Sequence, residues 1–104
     1  MKVEIYTTEG CEYSEYSMDW FMLNSIEFKE IKIRYSEKKR IEIALTERTK
    51  QRITTFPQIF INGMHIGGHF ELMKKRKNIL ELKEKELNGD KNILKNGLYL
   101  LSKS

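Results

Sequence analysis

Cysteine and proline each occur once in this chain of 104 residues, as Cys11 and Pro57, and no hydrophobic run is long. A lone thiol excludes an internal disulfide framework and any all-cysteine metal site within one chain, and it suits a reducing compartment. With one proline and six glycines there is no linker-like or low-complexity segment. No stretch approaches the roughly 20 consecutive apolar residues of a membrane span. The opening MKVEIY enters a strand pattern without a signal-peptide core. These absences predict a soluble, cytoplasmic protein with no membrane partner. Blocks of one charge sign are missing too. Nineteen basic and fifteen acidic residues are interspersed, and a net charge of +4 is weak ground for nucleic-acid binding. At 39% hydrophobic content, the chain can build one core and not two.

What is present is periodic. VEIY, residues 3–6, is a short apolar, β-branched run that ends in Thr-Thr-Glu-Gly, a strand entering a turn. A helix follows from Cys11, with Tyr13, Ser17, Trp20 and Phe21 spaced to share one inward face. Asn24 and Ser25 break that pattern, and FKEIKIR, residues 28–34, reads as a second strand. Ser36 is placed to cap a helix over residues 37–50, in which Ile41, Ala44, Leu45 and Arg48 keep helical spacing. Strands over 58–61 and 64–66 flank Asn62-Gly63, the strongest two-residue hairpin signal. Beyond Gly67-Gly68, the residues Leu72, Arg76, Ile79, Leu80 and Leu87 mark a long charged helix, interrupted near Asn78. The order βαβαββα predicts one α/β domain over residues 1–87, with a tail over 88–104 docked on it.

Chemistry concentrates at GCEYSEY, residues 10–16. A cysteine at a helix start faces unsatisfied backbone N–H groups and the positive end of the helix dipole, which favour its thiolate and make Cys11 the candidate nucleophile. Glu9, Glu12 and Glu15 oppose that effect. Three residues on stands Ser14, whose hydroxyl is hardly ionised and cannot attack a disulfide, so no resolving group lies within the chain. His65, His69 and Cys11 are too nonspecific a set to predict a metal site.

YTTEGCEYS, TTFPQIFING and HIGG, in this order and spacing, resemble the glutaredoxin family of the thioredoxin superfold over residues 2–85. The resemblance implies a four-stranded mixed sheet flanked by helices, a cis peptide before Pro57, and glutathione as co-substrate. It implies a thiol–disulfide oxidoreductase that reduces glutathionylated proteins or small disulfides, acting as a monomer. With Ser14 at the position of the second cysteine, the cycle is monothiol and external glutathione resolves the adduct. The glutathione site carried over comprises Thr8, Tyr13, Arg52, Thr55, Phe56, Pro57, Gly68, His69, Phe70 and Glu71, with Lys50 a further cation. Tyr13 flanks the sulfur. Thr55 and Pro57 frame Phe56, whose backbone pairs with the tripeptide. Arg52 and Lys50 serve the glycine carboxylate. The helix start over residues 68–71 takes the γ-glutamyl carboxylate, with Glu71 toward the glutamyl ammonium.

The chain also departs from that pattern. Thr8 and Glu9 stand where a lysine and a proline are common, and Phe70-Glu71 where serine, threonine or aspartate precedes aspartate. Two further readings follow from the family. One is a dimer holding a [2Fe–2S] centre through two copies of Cys11 and two glutathiones, although Glu12-Tyr13 is bulkier than the Gly-Phe common in that branch. The other is a weakly active interaction module.

Overall fold

Alternation along β1 (Val3–Thr8) sets the two sides of the sheet. Val3, Ile5 and Thr7 are buried, whereas Glu4, Tyr6 and Thr8 are only half-buried. Successive side chains of a strand point to opposite faces, so one β-branched hexapeptide supplies both. A computed structural model describes residues 1–89 and 100–102 of the chain. In it, β1 pairs in parallel with β2 (Lys29–Ile33) and antiparallel with β3 (Gln58–Ile61), which in turn pairs with β4 (Met64–Gly67). The sheet order is β2-β1-β3-β4. Every residue of β3 is buried, because it lies inside the sheet with both faces covered. Asn62 and Gly63 turn the hairpin with φ of +52° and +81°, the left-handed pair that matches strand twist. This is the thioredoxin-like mixed sheet with flanking helices that the resemblance implied.

Three helices cover the sheet: α1 (Glu12–Leu23), α2 (Lys38–Thr49) and α3 (His69–Leu87). Phe21 of α1 and Leu72, Ile79 and Leu82 of α3 close over Val3, Ile5, Ile59 and Ile61 on one face. Leu45 of α2 closes over Phe60 and Ile53 on the other, with Tyr6 and Ile41 at its margin. Burial is worth about 2 kcal/mol for each such large apolar side chain, so the two layers dominate stability. Leu100 and Leu101, in a helical segment near the C-terminus, join the first layer. The Nζ of Lys75 donates to the Leu101 carbonyl at 2.6 Å. Of the tail expected over 88–104, residues 90–99, 103 and 104 lie outside the described residues.

Several local expectations are corrected. Ser36 does not cap α2: a 3₁₀ turn over Tyr35–Glu37 intervenes, and Glu37 holds the cap position. α3 runs without interruption through Asn78, because Asn costs a helix little when neighbouring turns are anchored by Leu72, Ile79 and Leu82. The inward face of α1 is Ser14, Ser17 and Phe21, whereas Tyr13 is exposed. Ala44, Arg76, Leu80 and Leu87 are exposed as well, although the exposed Arg48 lays its guanidinium 3.9 Å from the centre of the Phe60 ring. A long charged stem can cover apolar surface while its head stays wet.

Candidate active site

Cys11 ends the β1–α1 loop, entered through Gly10 at φ +74°, and takes the N-cap position of α1. Its extended backbone, φ −89° and ψ 109°, starts the helix without any side-chain cap bond. The thiol reaches across instead and donates from Sγ to the carbonyl of Phe56 at 3.2 Å. That contact is open to the thiol and not to the thiolate, which has no proton to give. An ionised sulfur would instead face the uncapped amides of the first turn. Glu12 and Glu15, both exposed, stand in that same turn. Ser14 points inward and is 2% exposed, and its Oγ has no hydrogen-bond partner among the described residues.

The second wall is the loop into β3, where the Phe56–Pro57 peptide is cis, as expected. Pro57 is buried, Phe56 half-buried and Thr55 exposed. Gln58 fixes this loop: its Nε2 donates to the Thr55 carbonyl at 2.9 Å, and its Oε1 lies 2.7 Å from Nε2 of His65 on β4. Burial pushes His65 below its ordinary value, with Arg48 in the same direction and Glu71 opposed. Sequence reasoning missed Gln58, because a glutamine inside a strand carries no signal of what it will reach. His65 therefore engages Gln58, while His69 engages Ser17, with Oγ and Nδ1 at 2.9 Å. The two histidines do not converge on the thiol.

The third wall is the turn into α3. Gly67 adopts φ +115°, and a Cβ there would lie 2.8 Å from Cγ of Glu71. Gly68 packs close to the second wall, since a Cβ on it would meet the Pro57 carbonyl at 3.3 Å. The first backbone bond of α3 runs from Leu72 N–H to the Gly68 carbonyl, so the amides of residues 69–71 have no acceptor within the helix. Glu71, expected toward a ligand's ammonium, turns back onto its own helix start, where its Oε1 accepts from the Gly68 N–H at 2.8 Å. An acidic residue at the third helical position commonly folds back this way onto the cap amide.

Cations fall differently from their sequence neighbourhood. Arg52 shares an open cleft of about 350 Å³ with Gln58, His65, Gly68 and Glu71, placing it beside the start of α3. Lys50 caps α2 in a left-handed conformation, φ +60°. A second cleft of about 350 Å³ lies against the thiol loop, lined by Thr8, Glu9, Ile33, Tyr35 and Lys38. Lys38 was not foreseen: the pairing of Thr8 with Ile33 brings the first turn of α2 to this loop from 30 residues away. The structure thus gathers Cys11, Phe56, Pro57, Gly68 and the flanking Tyr13, His69 and Phe70 around one mouth, with Thr8 and Lys38 on one side and Arg52 and Glu71 on another.

The family model described as Glutaredoxin matches residues 3–66. Glutaredoxin 1 of Rickettsia bellii (strain RML369-C) is 33% identical over 64 residues, which are 62% of this chain and 65% of that relative, so slightly under two thirds of its length is spanned. The crystal structure of glutaredoxin 1 from Francisella tularensis complexed with cacodylate superposes with a TM-score of 0.74 at 37% identity, covering 77% of this chain and 96% of that one. A buckwheat glutaredoxin–glutathione complex superposes at 0.64 with 28% identity, over 73% and 68% of the two chains.

Proposed function

Because the chain belongs to the glutaredoxin family, we propose that it is a glutathione-dependent thiol–disulfide oxidoreductase that works by a monothiol cycle. The observation that carries this reading is a sole cysteine at the N-cap of α1, its sulfur 3.2 Å from the Phe56 carbonyl, with a serine in the buried position three residues on. The Cys11 thiolate attacks the glutathione sulfur of a mixed disulfide, forming a Cys11–glutathione bond and releasing the substrate thiolate, which takes up a proton. The thiolate of a second glutathione then attacks the adduct, and oxidised glutathione leaves with Cys11 regenerated. Ser14 offers no competing intramolecular step. The compartment this chemistry needs is a reducing one, in keeping with a cytoplasmic protein.

Binding follows the walls of the mouth. The Phe56 backbone pairs with the cysteinyl part of glutathione as an added strand. Thr55 and Pro57 frame that contact, and Tyr13 flanks the sulfur. The amides of residues 69–71 hold the γ-glutamyl carboxylate at the start of α3, with Arg52 near Gly68 on that side. Lys38, on the cleft with Thr8, meets the glycine carboxylate. It thereby supplies the cation that position 8 lacks.

Mass spectrometry after treatment with oxidised glutathione tests the core of this reading. One glutathione adduct on Cys11 is expected, absent in Cys11→Ser, together with glutathione-dependent reduction of a small mixed disulfide. An unmodified Cys11 at millimolar glutathione would defeat it. Lys38→Ala should raise the glutathione KM roughly three- to tenfold with little change in kcat, as loss of uniform binding requires.

A further inference from the structure

The rim of the thiol site carries aromatic rings that the core does not need. Tyr13, Tyr16 and Phe70 expose 47%, 51% and 60% of their surface. They are not scattered, since ring centres lie 5.2 Å apart for Tyr13 and Phe70 and 6.0 Å for Tyr13 and Tyr16. His69 stands among them, 6.0 Å from each tyrosine and 5.9 Å from Phe70. Its ring is held in turn by the fully buried Ser17 at 2.9 Å. The aromatic surface is therefore set before a partner arrives, which lowers the ordering cost of binding. Tyr13 is two residues from Cys11, so the surface is continuous with the proposed reaction site.

Charge on the α1 side of these rings is acidic, whereas the exposed Lys74 and Lys77 follow Phe70 along α3. Glu12, Glu15 and Asp19 are exposed on the same helix, and Glu9 is exposed in the loop before it. A chain with a net charge of +4 thus presents carboxylates where a substrate must approach. The carboxylates do not suit glutathione itself, which is a small anion, and the Tyr16 ring is not among the groups proposed to hold it.

We propose that this surface selects the protein half of the substrate: a glutathionylated segment whose modified cysteine is flanked by an aromatic or large aliphatic side chain and by lysine or arginine. The inference rests on the glutathione-dependent reading above. The rings of Tyr16 and Phe70 receive the apolar flank and stack on the cation, while the carboxylates steer it. The covalent step is unchanged: Cys11 sulfur bonds the glutathione sulfur, the substrate disulfide breaks, and the substrate cysteine leaves reduced and is protonated.

The test compares kcat/KM for two synthetic glutathionylated peptides, one with Phe and Lys beside the modified cysteine and one with Gly and Glu, against the mixed disulfide of glutathione and mercaptoethanol. The native chain should prefer the first peptide by at least about tenfold. Tyr16→Ser should cut that preference about fivefold, the size of a single exposed aromatic or cation–π contact. Glu15→Gln should cut it about twofold, and raising salt from about 50 to about 500 mM should do the same to the native chain. Tyr16→Ser should turn over the small disulfide within about twofold of the native rate, since its side chain does not belong to the proposed glutathione site, and Glu15→Gln is read only as the ratio between the two peptides, which a change in Cys11 reactivity does not move. Equal kcat/KM for the two peptides, or a preference untouched by Tyr16→Ser and Glu15→Gln, overturns the inference while leaving the glutathione-dependent reading standing. Failure to turn over even the small disulfide overturns both.

Discussion

At the residue scale, Ser14 is the most informative position in the proposed site. Its hydroxyl is buried without a partner among the described residues, and such a group costs about 1 to 3 kcal/mol relative to water. Ser14→Ala should therefore stabilise the chain by about 1 kcal/mol, read as a rise of roughly 4 °C or more in Tm by circular dichroism. An unchanged or lower Tm would mean that Ser14 has a partner in solution. His65 makes a pH-dependent contribution. Its folded value lies below the usual 6.5, so protons bind the unfolded chain first as pH falls. Stability is then unaffected above that pH and declines from about 6.5 down to the depressed folded value, after which the loss is complete. His65→Gln should remove that slope, and urea midpoints of the two proteins between about pH 5 and pH 8 check it.

At the element scale, the turn from β4 into α3 depends on one glycine and one glutamate. Gly67 sits at φ +115° with Glu71 folded against it, so Gly67→Ala meets both strain and a clash. A loss of about 2 kcal/mol is expected. Glu71→Ala alone should cost about 1 kcal/mol by freeing the Gly68 amide, and the double variant should fall short of the sum because the contacts with Cγ and Oε1 are gone and only that with Cβ, at 2.9 Å, remains. Strict additivity in a urea double-mutant cycle would contradict this account. The hairpin and the start of α1 were readable in the sequence, because Asn62-Gly63 and Gly10-Cys11 are local signals whose backbone requirements travel with them. Ser36 misled for the opposite reason: any serine before a helical pattern looks like a cap, and only the intervening 3₁₀ turn shows that it is not.

At the scale of the whole molecule, the C-terminal Leu101 is 1% exposed within the layer formed by α1, α3 and the sheet. Leu101→Ala should cost about 2 to 5 kcal/mol, whereas Leu87→Ala, at a position 76% exposed, should stay within about 0.5 kcal/mol. Denaturant unfolding separates the two, and equal small effects would show that the tail adds nothing to the core. Pattern in the sequence determined the strand and helix order, the hairpin and the position of the one thiol at a helix start, since each rests on neighbours within a few residues. Tertiary structure alone decided what surrounds that thiol. Lys38 comes to the loop before it through the pairing of β1 with β2, Gln58 ties Thr55 to His65 on the neighbouring strand, and Tyr13 turns out to His69 and Phe70 on another helix. The Lys38 and Tyr13 contacts join residues about 30 to 57 positions apart, those of Gln58 link a loop to a neighbouring strand, and periodicity, which reports only which side of an element is apolar, holds no information about which elements meet.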